Sequence, residues 1–220
     1  MERPSIRSYS MRGTRITAAQ RAAKNLLQQV HGIPVENKRI DLAQVFPTAQ
    51  KVIMEIGFGM GEATAIIAAQ SPQNAYIAVE LHSPGVGKLL ARIQEQDLKN
   101  IKIIEEDVHL VLEYMLADDL LDGVHLFFPD PWPKSKHHKR RIVTPKFLAL
   151  IASKLKPGGY IHIATDWLPY AQAMQIVFAG STQFSGGVIA KPAWRPVTRF
   201  EGQGIDKDHR VTDLLYLRTG

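Results

Sequence analysis

The chain has 220 residues, with 27 Lys+Arg against 21 Asp+Glu, 45% hydrophobic residues and no Cys. That length is expected to hold one domain, or one with a small appendage, with a buried core, and the apolar fraction is too high for general disorder. The lack of Cys excludes disulfides, thiolate metal sites and cysteine nucleophiles, and no apolar run reaches the roughly 18–20 residues that span a bilayer.

The first segment is basic. Arg3, Arg7, Arg12, Arg15, Arg21 and Lys24 face Glu2 alone, and residues 1–24 are expected to be a flexible arm. A single domain is expected over 25–220. A helical stretch is predicted over 17–30, and residues 31–50, with Gly32, Pro34 and Pro47, read as an irregular lead-in. From residue 51 a regular pattern sets in. Strands are predicted over 51–56, 75–80, 101–105, 123–128 and 159–164, with helices over 62–70, 83–96, 108–117, 144–155 and 168–179. Lys156-Pro157-Gly158-Gly159 is a stop-and-turn signal. Residues 181–204 are rich in Gly, Pro and Thr, and 213–219 reads as a final strand. Strands alternating with helices imply right-handed crossovers and a parallel sheet covered on both faces. Ligands of such sheets bind beyond the carboxyl ends of the strands.

The residues at those ends carry the chemistry. Glu55 closes the first strand, followed by Gly57, Gly59 and Gly61. Glycines there let the backbone turn sharply and approach a ligand, and a helix N-terminus follows. The spacing is G-x-G-x-G, not the G-x-G-x-x-G of a dinucleotide fold. Glu80 closes the second strand, 25 residues after Glu55, a separation at which an acid commonly accepts ribose hydroxyls. Asp107 follows the third strand and could accept an adenine amino group. Each acid taken alone also fits a surface residue or a helix cap.

The fourth strand runs into Phe127-Phe128-Pro129-Asp130-Pro131-Trp132-Pro133. Prolines fix φ and bias the residue before them toward extended geometry, so Asp130 is expected on a stiff, pre-organised loop. Lys134-Ser-Lys-His-His-Lys-Arg-Arg141 follows without an acid, so the remainder of the chain, outside this run and the arm, is net acidic. Two concentrated basic segments point to a polyanionic partner, although a solvated loop and a solubilising tail would look the same. A carboxylate on a rigid strand end beside a phosphate-attracting run suits base chemistry on a nucleic acid. The fifth strand ends in Thr165-Asp166-Trp167, where Asp166 could also simply cap the next helix. Arg195-Pro196-Val197-Thr198-Arg199-Phe200-Glu201 offers a hydroxyl, a guanidinium, an aromatic ring and a carboxylate in succession. No His spacing resembles a zinc site, and no nucleophile elbow is present.

Together these blocks resemble the bacterial tRNA (guanine-N7-)-methyltransferase family. The matching stretches are Glu-Ile-Gly-Phe-Gly-Met-Gly at 55–61, Glu-Leu-His-Ser-Pro-Gly-Val-Gly at 80–87, Phe-Phe-Pro-Asp-Pro-Trp at 127–132, Lys-Arg-Arg-Ile-Val at 139–143, Ala-Thr-Asp-Trp at 164–167 and Arg-Pro-Val-Thr-Arg-Phe-Glu at 195–201. The resemblance implies a Rossmann-like class I methyltransferase: a mostly parallel, doubly wound sheet with helices on both faces and an antiparallel C-terminal strand. It implies S-adenosylmethionine as methyl donor, with S-adenosylhomocysteine as product and no metal, and guanine 46 in the tRNA variable loop as acceptor. By this resemblance Glu55, Gly57, Gly59, Gly61, Glu80, Asp107 and Asp130 bind the cofactor, and Asp130 is also catalytic. Lys134, Asp166, Thr198, Arg199, Phe200 and Glu201 contact the substrate, and Lys136, His137, His138, Lys139, Arg140 and Arg141 contact RNA. A cytoplasmic location, no membrane partner, and a monomer rather than a homodimer are expected. The competing readings are a non-catalytic RNA-binding module on the same fold and a methyltransferase with another acceptor.

Overall fold

The computed structural model describes the backbone of residues 18–197 and 210–220, and side chains from residue 25 onward within those ranges. Among the described residues, the strands of one unit lie in the order Ile101–Ile104, Ala75–Val79, Val52–Ile56, and those of the other in the order Leu121–Phe127, Leu155–Thr165, Thr212–Arg218, Phe184–Ile189. The chain divides into two compact units, one ending at Ala117 and one running from Asp118 to Gly220.

In the first unit, β1 (Val52–Ile56), β2 (Ala75–Val79) and β3 (Ile101–Ile104) pair in parallel, with Met54 opposite Ile77 and Ile77 opposite Lys102. All five residues of β2, Ala-Tyr-Ile-Ala-Val, are buried, which is why the strand reads as a continuous apolar run rather than an alternation. The helix α1 (Ala18–His31) precedes them, followed by the short turn α2 (Leu42–Val45). The crossover helices are α3 (Glu62–Gln70) and α4 (Ser83–Glu95). Val86, Leu89, Leu90 and Ile93 form the buried stripe of α4 at helical spacing. Burying each stabilises by about 1.5–3 kcal/mol before entropy is charged against it. Pro84 sits in the first turn of α4, where its missing N–H costs nothing. A single helix was expected over 108–117. Instead α5 (Val108–Leu110) passes into a π turn over Val111–Met115. Val108, Leu110, Val111, Leu112, Met115 and Leu116 are all buried, so the segment has no one apolar stripe to hold it to a 3.6-residue period.

In the second unit, β4 (Leu121–Phe127) and β5 (Leu155–Thr165) are parallel, while β7 (Thr212–Arg218) runs antiparallel to both β5 and β6 (Phe184–Ile189). Two helices, α6 (Pro145–Lys154) and α7 (Leu168–Ala179), connect them. Thr144 caps α6, its Oγ1 accepting from the Phe147 N–H at 3.2 Å. The turn expected at 156–159 lies inside β5. The register jumps from Leu121 opposite Leu155 to Gly123 opposite Tyr160. The Pro-Gly-Gly residues are absorbed as a bulge, with Gly158 at φ +76°. Strand β6 was not expected. Gly186 and Gly187 lie in its middle, and a Cβ on Gly186 would fall 2.1 Å from the Leu215 carbonyl oxygen. Gly186, which looks like a loop residue, is there because β7 passes that close, whereas a Cβ on Gly187 would meet nothing within 4 Å. No helix among the described residues is long and apolar enough to cross a membrane.

Candidate active site

The first unit builds a glycine cradle at the end of β1. Gly57, Gly59 and Gly61 all have positive φ, at +69°, +57° and +70°, which side chains with a Cβ adopt only at a cost. Open space surrounds the Cβ positions of Gly57 and Gly59. Gly61 opens α3, and a Cβ there would meet the Leu89 Cβ at 2.6 Å. The loop is held from below by a residue that the pattern of strand ends did not single out. Gly85, in the first turn of α4, lies so close to Gly59 that a Cβ would sit 1.9 Å from the Gly59 carbonyl oxygen. The available signal was the Ser-Pro-Gly-Val-Gly at 83–87, where two glycines inside a helix need a reason.

Glu80 is half-buried and organises the same loop. Its Oε2 accepts from the Gly59 N–H at 2.9 Å, and its Oε1 from the Leu81 and His82 N–H groups at 2.7 and 2.9 Å. Asp107 is buried and caps α5, with Oδ1 accepting from the His109 N–H at 2.9 Å. Glu55 is the unusual member. It is 2% exposed, and its Oε2 has no hydrogen-bond partner. Burial lifts its carboxyl from 4.5 to about 7; Thr64 offsets part of this and the charge of Glu80 adds to it.

That shift has a consequence for stability. Between about pH 4.5 and 7 the native state holds a proton that the unfolded chain has released, so stability falls as pH rises through this window. The cost is about 3 kcal/mol above pH 7. Thermal melts of Glu55→Gln should therefore show a higher Tm than the parent protein at pH 8 and little difference at pH 4.5.

The second unit carries the Asp130 loop. Asp130 is exposed, two residues from Phe128 on one side and Trp132 on the other. Both flanking residues have positive φ, +52° and +43°, although each precedes a proline and was expected to be extended. Such backbone costs about 1–3 kcal/mol per residue and persists only where surrounding contacts impose it. Those contacts are present. The Phe128 N–H donates to the Ala164 carbonyl at 2.8 Å. Arg141 donates its Nε–H to the Pro131 carbonyl at 2.9 Å, and its guanidinium lies over the Tyr170 ring at 4.7 Å. The guanidinium of Arg140 lies over Trp132 at 4.8 Å, and the His137 ring is 5.8 Å from Trp132, centroid to centroid.

The basic run thus has two faces. It forms a 3-10 turn over Ser135–Arg140. Lys134, Lys136, His138 and Lys139 are exposed, while His137, Arg140 and Arg141 are half-buried against the loop they brace. His137 titrates below its usual range through desolvation first, then the charges of Arg140, Lys136, Lys134 and Lys139. Asp166 is half-buried at the end of β5 and does not cap α7. The N-cap is Trp167, without a side-chain cap bond, and the Trp167 N–H donates to Thr165 Oγ1 at 3.2 Å. Thr198, Arg199, Phe200 and Glu201 lie outside the described residues, as does most of the arm expected at 1–24.

Strand order, crossover helices and the glycine turn at the first strand end define the class I methyltransferase fold. A family model described as "Putative methyltransferase" matches residues 49–214. The 16S rRNA methyltransferase KamB shares the fold with a TM-score of 0.63 at 15% identity, covering 87% of this chain and 99% of that one. A SAM-dependent methyltransferase from Aquifex aeolicus does so at 0.54 and 12% identity, covering 89% and 98%. Curated relatives are far closer in sequence. The tRNA (guanine-N(7)-)-methyltransferase of Nitrosospira multiformis is 47% identical, covering 96% of this chain and 93% of its own length. That of Nitrosomonas europaea is 45% identical over 98% of each chain, and that of Streptomyces avermitilis 46% over 97% and 75%. The chain belongs to the tRNA (guanine-N7-)-methyltransferase family.

Proposed function

We propose that this chain transfers a methyl group from S-adenosylmethionine to N7 of guanine 46 in the variable loop of tRNA. The observation that carries the reading is the Asp130 loop: a carboxylate between two residues, Phe128 and Trp132, held at positive φ, with a basic turn directly after it. Family membership supports guanine N7 of tRNA as the acceptor and S-adenosylmethionine as the methyl donor.

The residues present fit that donor. S-adenosylmethionine, when bound, supplies an electrophilic methyl on a sulfonium and carries a cationic amino group. Glu55, with its unpartnered Oε2, is a buried acceptor awaiting a cationic or donor group. Gly57 and Gly59 leave their cradle open for close approach. Glu80 and Asp107 close the next two strands and are assigned the ribose hydroxyls and the adenine amino group. If a cation draws Glu55 into its charged form, cofactor binding near pH 7 releases a proton.

Guanine N7 has an in-plane lone pair and no proton. Bound S-adenosylmethionine would supply the methyl there, the N–CH₃ bond forming as the S–CH₃ bond breaks and its electron pair stays on sulfur, so positive charge would pass to the purine. No general base is required. The protein's tasks are alignment, exclusion of water and a negative field where positive charge develops. Asp130 is assigned that field, together with hydrogen bonds from guanine N1–H and N2–H₂, and it is also assigned to the cofactor. Asp166, Lys134 and the 198–201 block share substrate recognition.

Lys136, His137, His138, Lys139, Arg140 and Arg141 are assigned to RNA, with the exposed lysines pairing with phosphates. Binding of tRNA to Lys136→Gln/Lys139→Gln, measured by filter retention across a salt series, should weaken. The slope of log K against log salt should fall by roughly one for each lysine–phosphate pairing removed. An unchanged slope would show that these lysines face away from RNA.

A further inference from the structure

The least expected side chain in the second unit is Arg195, which is 1% exposed and among the largest fully buried residues. Its guanidinium makes a bidentate pair with Asp213 on β7, Nε to Oδ1 at 2.7 Å and Nη2 to Oδ2 at 2.8 Å. The buried His162 on β5 holds the same Asp213 Oδ1 through Nε2 at 2.8 Å. Since Asp213 can only accept when ionised, His162 is the donor there. Burial pushes the Asp213 carboxyl up, but the His162 and Arg195 hydrogen bonds outweigh it and the group sits below the usual range.

Stability alone is a weak reason to keep such a pair. A buried ion pair is often no better than apolar residues of the same volume, because desolvation offsets the attraction. What the pair does supply is a guanidinium fixed in place and plane. Its carbon lies 5.9 Å from the centroid of the Phe128 ring. Phe128 is the positive-φ residue that opens the Asp130 loop. Its N–H donates to the carbonyl of Ala164, and Ala164 is the β5 residue paired with Asp213. The ion pair and the root of the loop therefore hang from one register position of β5 and β7.

We propose that Arg195, locked by Asp213 and His162, is a positioning residue that holds Phe128, and through it the Asp130 loop, in its reactive shape. The proposal rests on the assignment of Asp130 to catalysis. Arg195 is buried and is proposed to act through Phe128 rather than on the reacting atoms.

The test is a kinetic cycle. Arg195→Lys keeps the charge but loses the planar, two-point grip. It should lower kcat, read at saturating S-adenosylmethionine, on the order of 10- to 100-fold, with little change in KM for tRNA. In an Asp130→Ala background the same substitution should have almost no further effect, because the group it positions is gone. Near-normal kcat for Arg195→Lys would overturn the proposal. So would an equal loss in both backgrounds, which would mean general damage while leaving the Asp130 assignment intact. Near-normal turnover by Asp130→Ala alone would instead remove the Asp130 assignment and the proposal with it. If Arg195→Lys does not fold, as judged by its melting curve, Phe128→Leu removes the ring while sparing the buried pair. The same loss confined to kcat and to the Asp130-containing background is then expected, and its absence overturns the proposal.

Discussion

Asp130→Asn should lose at least about 100-fold in kcat while binding tRNA nearly as well as the parent protein. The replacement keeps the shape of the side chain and removes only its charge. On the proposed mechanism charge is what the reaction needs from this position, because the purine becomes cationic as N7 takes the methyl group. The loop should survive the change, since its shape is set by the Arg141 bond to the Pro131 carbonyl, the Phe128 bond to the Ala164 carbonyl and the stacking of Arg140 on Trp132. Single-turnover rates with saturating cofactor and tRNA, alongside equilibrium tRNA binding, separate the two effects. A loss seen only in binding would assign Asp130 to recognition rather than to catalysis.

The second large effect is expected at Gly85. A Cβ there would stand 1.9 Å from the Gly59 carbonyl oxygen, which is backbone and cannot swing aside. Gly85→Ala must push the cradle away from α4 or shift the helix, and overpacking of this kind costs typically about 1–3 kcal/mol or more. Displacing Gly59 also disturbs the bond from its N–H to Glu80 Oε2, so cofactor affinity should fall by at least about tenfold beyond any loss of stability. Gly87 supplies the control. It lies in the same helix with nothing within 4 Å of its Cβ position. Gly87→Ala should be neutral or stabilising by up to about 1 kcal/mol, through helix propensity. Calorimetric binding of S-adenosylmethionine and melting curves on both variants check the pair. Similar behaviour of the two would show that the close approach at Gly59 is unimportant.

The alternating framework was legible because its signals are local and strong. Helix α3 and helix α7 fall at 62–70 and 168–179 as read from the sequence, each bounded by glycine or by a strand end. The strand-end acids were legible for the same reason, since a parallel sheet places consecutive strand termini along one edge. What was hidden depends on partners distant in sequence. Strand β6 is held by β7 across its glycines, so its composition looks like a loop. The Pro-Gly-Gly of 157–159 looks like a stop but is accommodated as a bulge because β4 continues alongside. Phe128 and Trp132 defy the bias of the prolines that follow them, because contacts from Ala164, Arg140 and His137 outweigh a local preference. Arg140 and Arg141 look like any other members of a charge run, and only the fold shows that they turn inward. Arg195 is the first residue of a recognisable sequence block, yet its burial against Asp213 follows from the strand pairing of β5 with β7.

Methyl transfer to guanine N7 in tRNA is tested most directly by incubating the protein with labelled S-adenosylmethionine and unmodified tRNA, followed by digestion to nucleosides. The label is expected in 7-methylguanosine, and a tRNA with another base at position 46 should take up none. Label in a different nucleoside, or no transfer by folded protein that binds the cofactor, would contradict the assignment.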